Sequence, residues 1–588
     1  MTIDPADTAP RTDARPLWGL WPAGPGRWSY RVWAPRAARA ELEVGGSRHP
    51  MQRDDDGLWE VSFAAEEGTV YRLVLDGTAT PDPAARRQAG DVHAASVILD
   101  PRGAHAWQAD WHGRPWEEAV IYEMHLGTFT EGGTFAAAMD ELDRLAGLGI
   151  TAIEIMPVAQ FPGDRGWGYD GVNPYALHPA YGTRDEMRAF VDAAQARGMM
   201  VLLDVVYNHF GPDGAYIHGV APEFFDAGRD TPWGRAIAFA KPAVRRYFID
   251  NAIEWIREFR LDGLRLDAVH QIADDSDPHF LVELGQAVRK LDLGRPIHLV
   301  NEDERNLRRY RDGPDPDFAA EWNDDYHHAV HCLLTGESES YYENFAQDPM
   351  ADLVTAMADG YVEHGQPRHS GEVRGEPAGD LPTTAFVNAN QTHDQVGNRA
   401  QGDRLITLAD PEAVKVAHGL LLLSPFIPML FMGEEIGATA PFQFFADFHG
   451  KLAEATRKGR ADEFARFSSF EGDVPDPMAW DTFARSRPFA DPPAHAADWA
   501  ALTERLLDLR AQHVVPLLKS GRDGRAQVDR TGAKSLVAAW PFAAGTLRLA
   551  VSLGAAPDRV PEIPDPFFTM GDPARDALSL TATVEHSE

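Results

Sequence analysis

Between Ala119 and Glu435, eight short apolar segments alternate with amphipathic ones, and few folds accept that rhythm. The apolar segments are "AVIYEMHLGTF", "ITAIEIMPV", "MMVLLDVVYNH", "GLRLDAV", "IHLVNED", "FAAEWND", "AFVNANQTHD" and "PMLFMGEE". Helical periodicity separates them, near Arg184 to Arg197, Pro242 to Phe259 and His279 to Leu291. A strand that is apolar along its whole length is buried on both faces, as in a parallel sheet, and parallel strands need the crossover connections that helices supply. Eight such units predict a closed (β/α)8 TIM barrel, an α/β fold.

The chain has 588 residues, too many for the barrel alone. From Trp28 to about Leu99, short alternating pieces such as "WSYRVWAP", "LWEVSF" and "VYRLVLDG" are punctuated by Gly, Pro and Asp, the pattern of a small β-sandwich. From about Trp499 a helical stretch, "WAALTERLLDLRAQH", leads into "SLVAAWPF" and "TLRLAVSLG", pointing to a C-terminal β-domain. The expected divisions are a disordered tail over 1–16, an N-terminal β-sandwich over 17–108, a barrel with loop insertions over 109–497, and a helix plus β-domain over 498–588.

Charge narrows the function classes. With 55 basic and 90 acidic residues the net charge is −35, which repels phosphate backbones and argues against a nucleic-acid partner. The single cysteine, Cys332, forbids an intramolecular disulfide, the N-terminus has no apolar signal-like core, and no apolar run approaches the ~20 residues of a membrane span. These features read as a cytoplasmic chain without membrane contact. No His-x-His or closely spaced ligand cluster calls for a metal, no cofactor is expected, and monomer and dimer stay open.

In a barrel of this kind the strand C-terminal ends form the active face. Here the third strand ends in Asp204, Asn208 and His209, the fourth in Arg265, Asp267 and His270, the fifth in Glu302, and the seventh in His393 and Asp394. Strand alternation places Arg265 and Asp267 on one face together with Gly263 and Val269, so two buried charges are expected to pair. Asp267 and Glu302 fall on neighbouring strands ~4.8 Å apart, near the ~5–5.5 Å carboxyl separation of a retaining glycosidase. Strand parity alone does not exclude Glu304 as the acid.

At this point "DVVYNH", "GLRLDAVHQI", "LVNED" and "NQTHDQVGN" resemble, in order, the four motif segments of the α-amylase family of glycoside hydrolases. The resemblance implies Asp267 as nucleophile, Glu302 as general acid/base and Asp394 as the third carboxylate, which holds sugar hydroxyls. It also implies that Asp204, His209, Arg265 and His393 line the subsite of the attacked glucose. Arg265 would then keep Asp267 ionised and share itself with Asp204, while Glu302 would need a drier setting to hold its proton. The segment "LVNED" departs from the commoner pattern through Asn301, Asp303 and Glu304, so the assignment to Glu302 rests on alignment with the motif.

Further segments, "FPGDRGWGYDGVNPYA", "EWNDDYHHAVHCLLTGE", "THDQVGNRAQGDRL" and "PFQFFADFHGKLAEATRKGRADEF", are similar to one branch of that family. What this implies is cleavage of the α-1,4 bond beside the terminal trehalose of maltooligosyltrehalose, with release of trehalose, and a carbohydrate-binding-module-like sandwich that packs on the barrel. Among Trp167, Tyr169 and Tyr175, Tyr169 is the expected sugar contact. His270, Asp324 and Gln395 join the substrate-binding set, and Glu321, Asn323 and Asp325 are further candidates for the trehalose side. Phe442 and Phe445 are candidates for a selectivity wall, whereas His327, His328 and His331 read as core or surface of a helix. A glycogen branching enzyme shares the same acids, and a noncatalytic glucan-binding scaffold is a third reading.

Overall fold

The computed structural model describes residues 15–313, 316–464, 473–554, 563–571 and 577–587. Eight parallel strands close into a barrel in chain order: Ile121–Met124, Ala152–Ile155, Met200–Val205, Gly263–Leu266, His298–Asn301, Ala320–Trp322, Phe386–Ala389 and Ile427–Phe431. These are the eight segments expected from the sequence. The helices Arg184–Ala196, Pro242–Glu258 and Phe280–Arg289 also fall within a residue or two of their expected spans.

Burial explains why the strands carry no polar face. Met200 and Leu202 pack in one cluster with Ile121, Ala152, Val300, Ala320, Val387 and Ile427, which fills the barrel interior. The intervening Val201 and Leu203 join the larger core that the barrel shares with its helices. Continuing the interior parity toward the strand ends leads from Ile121 to Glu123, from Ala152 to Glu154 and from Leu202 to Asp204. All three acids are buried. The polar mouth is thus the last layer of the same interior stack.

Alternation stops earlier on the fourth strand than the sequence suggests. The strand ends at Leu266, Ala268 adopts a left-handed conformation (φ 41°, ψ 51°), and Val269–Gln271 form a short 3-10 turn. Val269 therefore does not share a strand face with Arg265 and Asp267.

Two antiparallel sheets precede the barrel. One orders Gly19–Gly24, Arg27–Trp33, Leu58–Ala64 and Gln52–Arg53; the other orders Ser47–Pro50, Ala40–Val44, Val70–Leu75 and Thr78–Thr80, with Ser96–Val97 also on Val70–Leu75. Residues 1–14 of the expected tail lie outside the described residues. Arg15 is ion-paired with Glu60 at 2.5 Å, and the Leu17 N–H donates to Asp250 at 2.9 Å. Trp18 donates from its indole to the Ala243 carbonyl, and Arg86, buried, pairs with Glu254 at 2.6 Å. The contacts of Leu17, Trp18 and Arg86 tie the N-terminal region to the helix after the third strand.

After the barrel, the helix Ala496–Leu509 runs through a π-helical turn, Arg510–Val514, into Val515–Ser520. Arg510 is fully buried and donates to the carbonyls of Leu422, Ser424 and Phe426, which fastens this region to the chain entering the eighth strand. A five-stranded antiparallel sheet follows, ordered Gln527–Arg530, Ser535–Phe542, Gly545–Leu553, Leu578–His586 and Phe568–Met570. Among the described residues no helix is long and apolar enough to cross a membrane.

Candidate active site

The guanidinium of Arg265 organises the mouth. Its Nη1 donates to Asp204 Oδ2 at 2.6 Å and to Asp267 Oδ1 at 3.0 Å, and its Nη2 donates to Glu302 Oε2 at 2.6 Å. Arg265 lies 4.0 Å from the centroid of the Trp322 ring, an aromatic floor for the cation. Three carboxylates around one buried cation answer the desolvation cost of burying it. The expected sharing of Arg265 by Asp204 and Asp267 is present, with Glu302 as a third partner.

Asp267 is held from a second direction. Asn208 Nδ2 donates to Asp267 Oδ2 at 2.9 Å and to the Asp267 carbonyl at 2.8 Å, which fixes both the side chain and its backbone. Glu302 accepts from Arg265 and from the Ala268 N–H, at 2.8 Å, through Oε2. Its Oε1 has no protein partner among the described residues. Burial pushes the Glu302 carboxyl well above its ordinary value; Arg265 opposes this, and Asp267, Asp324 and Asp394 add to it. Glu304 lies away from this cluster, more than half exposed, with His270 Nε2 at 3.5 Å.

Asp394 opens a short helix, His393–Gly397, capped by Thr392. Its Oδ1 accepts from Asn398 Nδ2 at 2.7 Å, and burial raises its pKa. Gln395 extends from the same helix and donates to Asp324 Oδ1 at 3.0 Å. Asp324 is pushed up to about 7, first by burial and then by the nearby Asp394 and Asp325. Asp204 is pushed up to about 6, by burial ahead of all else.

Glu123, at the end of the first strand, accepts the backbone N–H of His393 at 2.9 Å and is also paired with its ring Nδ1. Burial alone would lower the His393 pKa, but the Glu123 carboxylate carries it above its ordinary value. Tyr169 stacks on His393 with centroids 5.1 Å apart and donates its hydroxyl to Asp204 at 2.6 Å. His209 contacts the Tyr169 carbonyl through Nε2 and is capped by the exposed Trp233, stacked at 4.5 Å.

The structure therefore gathers Asp204, Arg265, Asp267, Glu302, Asp324, His393, Asp394, Gln395, Tyr169 and His209 into one connected network. His270 stands at its edge beside Glu304. Other candidates are packed elsewhere. Trp167 donates to the Gln443 carbonyl and Tyr175 to the Tyr247 carbonyl, both from buried positions. Glu321 is bound by Arg311, Tyr361 and Asn301; Asn323 binds Asn388 and the Gly360 carbonyl; Asp325 accepts from Asn306 and from two backbone N–H groups. Phe442 and Phe445 are fully buried among Trp167, His125, Phe431 and Phe483, so they cannot face a substrate.

Sequence reasoning passed over Glu123, Glu154, Asn398 and the supporting role of Asn208. The interior parity of the first two strands was a usable signal for the two glutamates, because an acid on the barrel side of an apolar strand has nowhere to go but the mouth.

The comparisons with known proteins bear on the same arrangement. The family model described as "Alpha amylase, catalytic domain" matches residues 99–230. Malto-oligosyltrehalose trehalohydrolase of Mycobacterium tuberculosis is 43% identical over 478 residues, covering 78% of this chain and 81% of that one. The trehalohydrolase of Arthrobacter ramosus is 41% identical over 559 residues, covering 91% and 94%. The chain belongs to the malto-oligosyltrehalose trehalohydrolase family.

A crystal structure described as a putative alpha amylase from Salmonella typhimurium superposes on it with a TM-score of 0.93 at 46% identity, covering 97% of this chain and all of that one. A pullulanase from Anoxybacillus complexed with maltotetraose shares the fold at 16% identity and a TM-score of 0.70. Membership of the trehalohydrolase family extends over the barrel and both flanking regions, since the Arthrobacter match spans nearly the whole chain.

Proposed function

We propose that the chain is a retaining glycoside hydrolase that cleaves the α-1,4-glucosidic bond beside the terminal trehalose of maltooligosyltrehalose, releasing trehalose and a maltooligosaccharide. The observation that carries the reading is the division of labour around Arg265. One cation holds Asp267 on Nη1 and Glu302 on Nη2, and Glu302 Oε1 has no protein partner among the described residues.

In this reading Glu302, kept protonated by burial, donates its Oε1 proton to the glycosidic oxygen as the C1–O bond breaks, and the trehalose leaves neutral. Asp267 closes on C1 to give a glycosyl ester. Water then attacks C1 from the side vacated by trehalose, Glu302 takes its proton, and Asp267 leaves as a carboxylate. Two inversions return the α-configuration. Asn208 and Arg265 aim the nucleophile, and Asp394 and His393 receive sugar hydroxyls. Tyr169 supplies an aromatic face, and His209, Asp204, Asp324, Gln395 and His270 complete the substrate contacts.

The N-terminal region, assigned to 17–108, serves here as a packed support, consistent with the Arg86–Glu254 and Trp18–Ala243 contacts. A cytoplasmic location fits the single buried thiol of Cys332.

Incubation with maltooligosyltrehalose, and with plain maltooligosaccharide in parallel, followed by chromatography, tests the proposal. Free trehalose from the first and slow release of sugars from the second are expected. Lengthened or branched glucan without trehalose would make the chain a transferase instead.

A further inference from the structure

Glu154 lies in the second barrel strand, on the interior face that also carries Ala152, and takes no part in the bond-breaking steps. It is 1% exposed, and neither of its carboxyl oxygens has a hydrogen-bond partner among the described residues. Arg265, Asp204 and Glu123 are the charged groups that face it. None of them serves it as a donor. The two terminal nitrogens of Arg265 hold Asp204, Asp267 and Glu302, its Nε makes no hydrogen bond among the described residues, and Glu123 is engaged with His393.

A carboxylate buried without a donor is far costlier than a neutral carboxylic acid in the same place. Burial accordingly raises the Glu154 pKa well above its ordinary value; Arg265 opposes this, and Asp204 and Glu123 add to it. A neutral acid carries one O–H, which needs an acceptor. Asp204 is placed to supply it. Glu154 pairs in register with Leu202, so Asp204 is the next interior residue along the adjacent strand. Its Oδ2 is taken by Arg265 Nη1 and by the Tyr169 hydroxyl, both at 2.6 Å, whereas its Oδ1 is buried with no partner among the described residues. A donor that needs an acceptor and an acceptor that needs a donor thus lie on neighbouring strands.

We propose that Glu154 is a positioning residue: as a neutral acid it donates a hydrogen bond to Asp204 Oδ1, directly or through one buried water, and so keeps Asp204 ionised against Arg265. A hydrogen bond to an ionised carboxylate favours that form, and Asp204, pushed up to about 6 by burial, is close enough to neutrality for the bond to matter. The effect reaches the reaction through Arg265 Nη1, the nitrogen shared by Asp204 and Asp267. Were Asp204 to take up a proton, Nη1 would lose one of its two anions and the aim of Asp267 would loosen. The inference rests on Asp267 acting as the nucleophile of a glycoside hydrolase. Asp204 is also faced by Asp267 and Tyr169, and Glu123 by the His393 ring, and all of these stay in place in the substitutions that test the bond.

Glu154→Gln, which keeps a donor, and Glu154→Leu, which removes it at similar bulk, are compared with the wild type by following kcat/KM on maltooligosyltrehalose from about pH 4 to about pH 9. In Glu154→Leu the acid limb is expected to move up by about one pH unit, a loss of about tenfold on that limb that closes at higher pH. In Glu154→Gln the limb is expected to stay where the wild type has it. An acid limb unmoved in the Leu variant leaves Glu154 as packing and overturns the proposal. A limb displaced downward in the Gln variant shows that the wild-type group is a carboxylate, and overturns it as well. If the Leu variant does not fold, Glu154→Met takes its place. Difference infrared spectra near neutral pH read the proton without turnover: the carbonyl stretch of a protonated carboxyl is expected in the wild type and is lost in Glu154→Gln, and no such difference overturns the proposal. If the wild type fails to act on maltooligosyltrehalose, the hydrolase reading falls by itself. The Asp204 midpoint, followed in the infrared against Asp204→Asn, then decides: an upward shift in Glu154→Leu supports the bond, and no shift overturns it.

Discussion

Glu123 grips His393 at two points, the backbone N–H at 2.9 Å and the ring Nδ1, from the opposite end of the chain order of the barrel. The first strand thereby sets the charge and orientation of a ring presented by the seventh. A histidine whose folded pKa is raised adds stability that is complete below its unfolded value of ~6.5 and is lost as pH rises through the folded value. Glu123→Gln is expected to remove that dependence. Melting temperature measured from pH 6 to pH 9 should fall in the wild type by more than in the variant, which starts lower. Breaking a buried pair costs ~3–5 kcal/mol. A variant whose melting curve tracks the wild type at every pH would show that the pair carries no charge coupling.

Asp267→Asn is expected to lower kcat by about 10³-fold or more while leaving the fold intact, as loss of one member of a catalytic unit does. Glu302→Gln should be similarly inactive on the natural sugar. Glu304→Gln, on an exposed side chain paired with His270, should retain most activity. Rates on maltooligosyltrehalose with circular dichroism of the same preparations check all three. Activity kept in Glu302→Gln and lost in Glu304→Gln would move the acid.

The maltooligosaccharide released first should be the α-anomer. Asp267 and Glu302 are bound to adjacent nitrogens of one guanidinium, which leaves too little room for the intervening water of an inverting mechanism. Proton NMR within the first minutes of reaction reads the anomer directly, and initial β-anomer would contradict the double displacement.

Asp324 combines a cost in stability with the proposed role in selectivity. Its pKa, pushed up to about 7 from an ordinary 3.8, means that the folded state holds a proton the unfolded state releases. Stability from this group therefore declines as pH rises from about 4 to about 7 and stays low above that. Asp324→Asn should raise the melting temperature at pH 8 relative to wild type and leave it nearly unchanged near pH 4. On the proposed substrate-binding role, the same variant loses, at a pH where the carboxyl is charged, a hydrogen bond worth ~1.5–3 kcal/mol, a ten- to hundredfold fall in kcat/KM expected to be larger for maltooligosyltrehalose than for plain maltooligosaccharide. Equal losses on the two substrates would remove Asp324 from selectivity.

The barrel was legible because its strands are apolar on both faces while helices such as Arg184–Ala196 and Phe280–Arg289 carry one apolar face. Asp204, Asp267 and Glu302 were legible because they close or directly follow such strands, whereas Asp394 lies past the seventh strand, in the helix His393–Gly397. What was hidden is reach across the mouth. Nothing local to "IYEM" says that Glu123 meets His393, since that contact exists only once the first and seventh strands share a barrel. The aromatic stretch after the eighth strand misled for a related reason. Phe442 and Phe445 sit in a loop on the active side, where exposure is the usual expectation, yet Trp167 and His125, from the segments that follow the second and first barrel strands, pack against them. The fourth strand shows the limit of alternation: its parity argument was sound through Leu266 and failed at Ala268, where the backbone turns left-handed.

That turn has a mechanical consequence. The Ala268 N–H donates to Glu302 Oε2 at 2.8 Å and the Val269 N–H to the Glu302 carbonyl at 2.9 Å, so the two peptide groups after Asp267 are latched to the residue proposed as the acid. Asp267 and Glu302 are thereby tied twice, through these peptide groups and through the Arg265 guanidinium. A β-branched residue at 268, for which φ 41° is strained, would loosen the peptide link and leave the pair of carboxylates to the hold of Arg265.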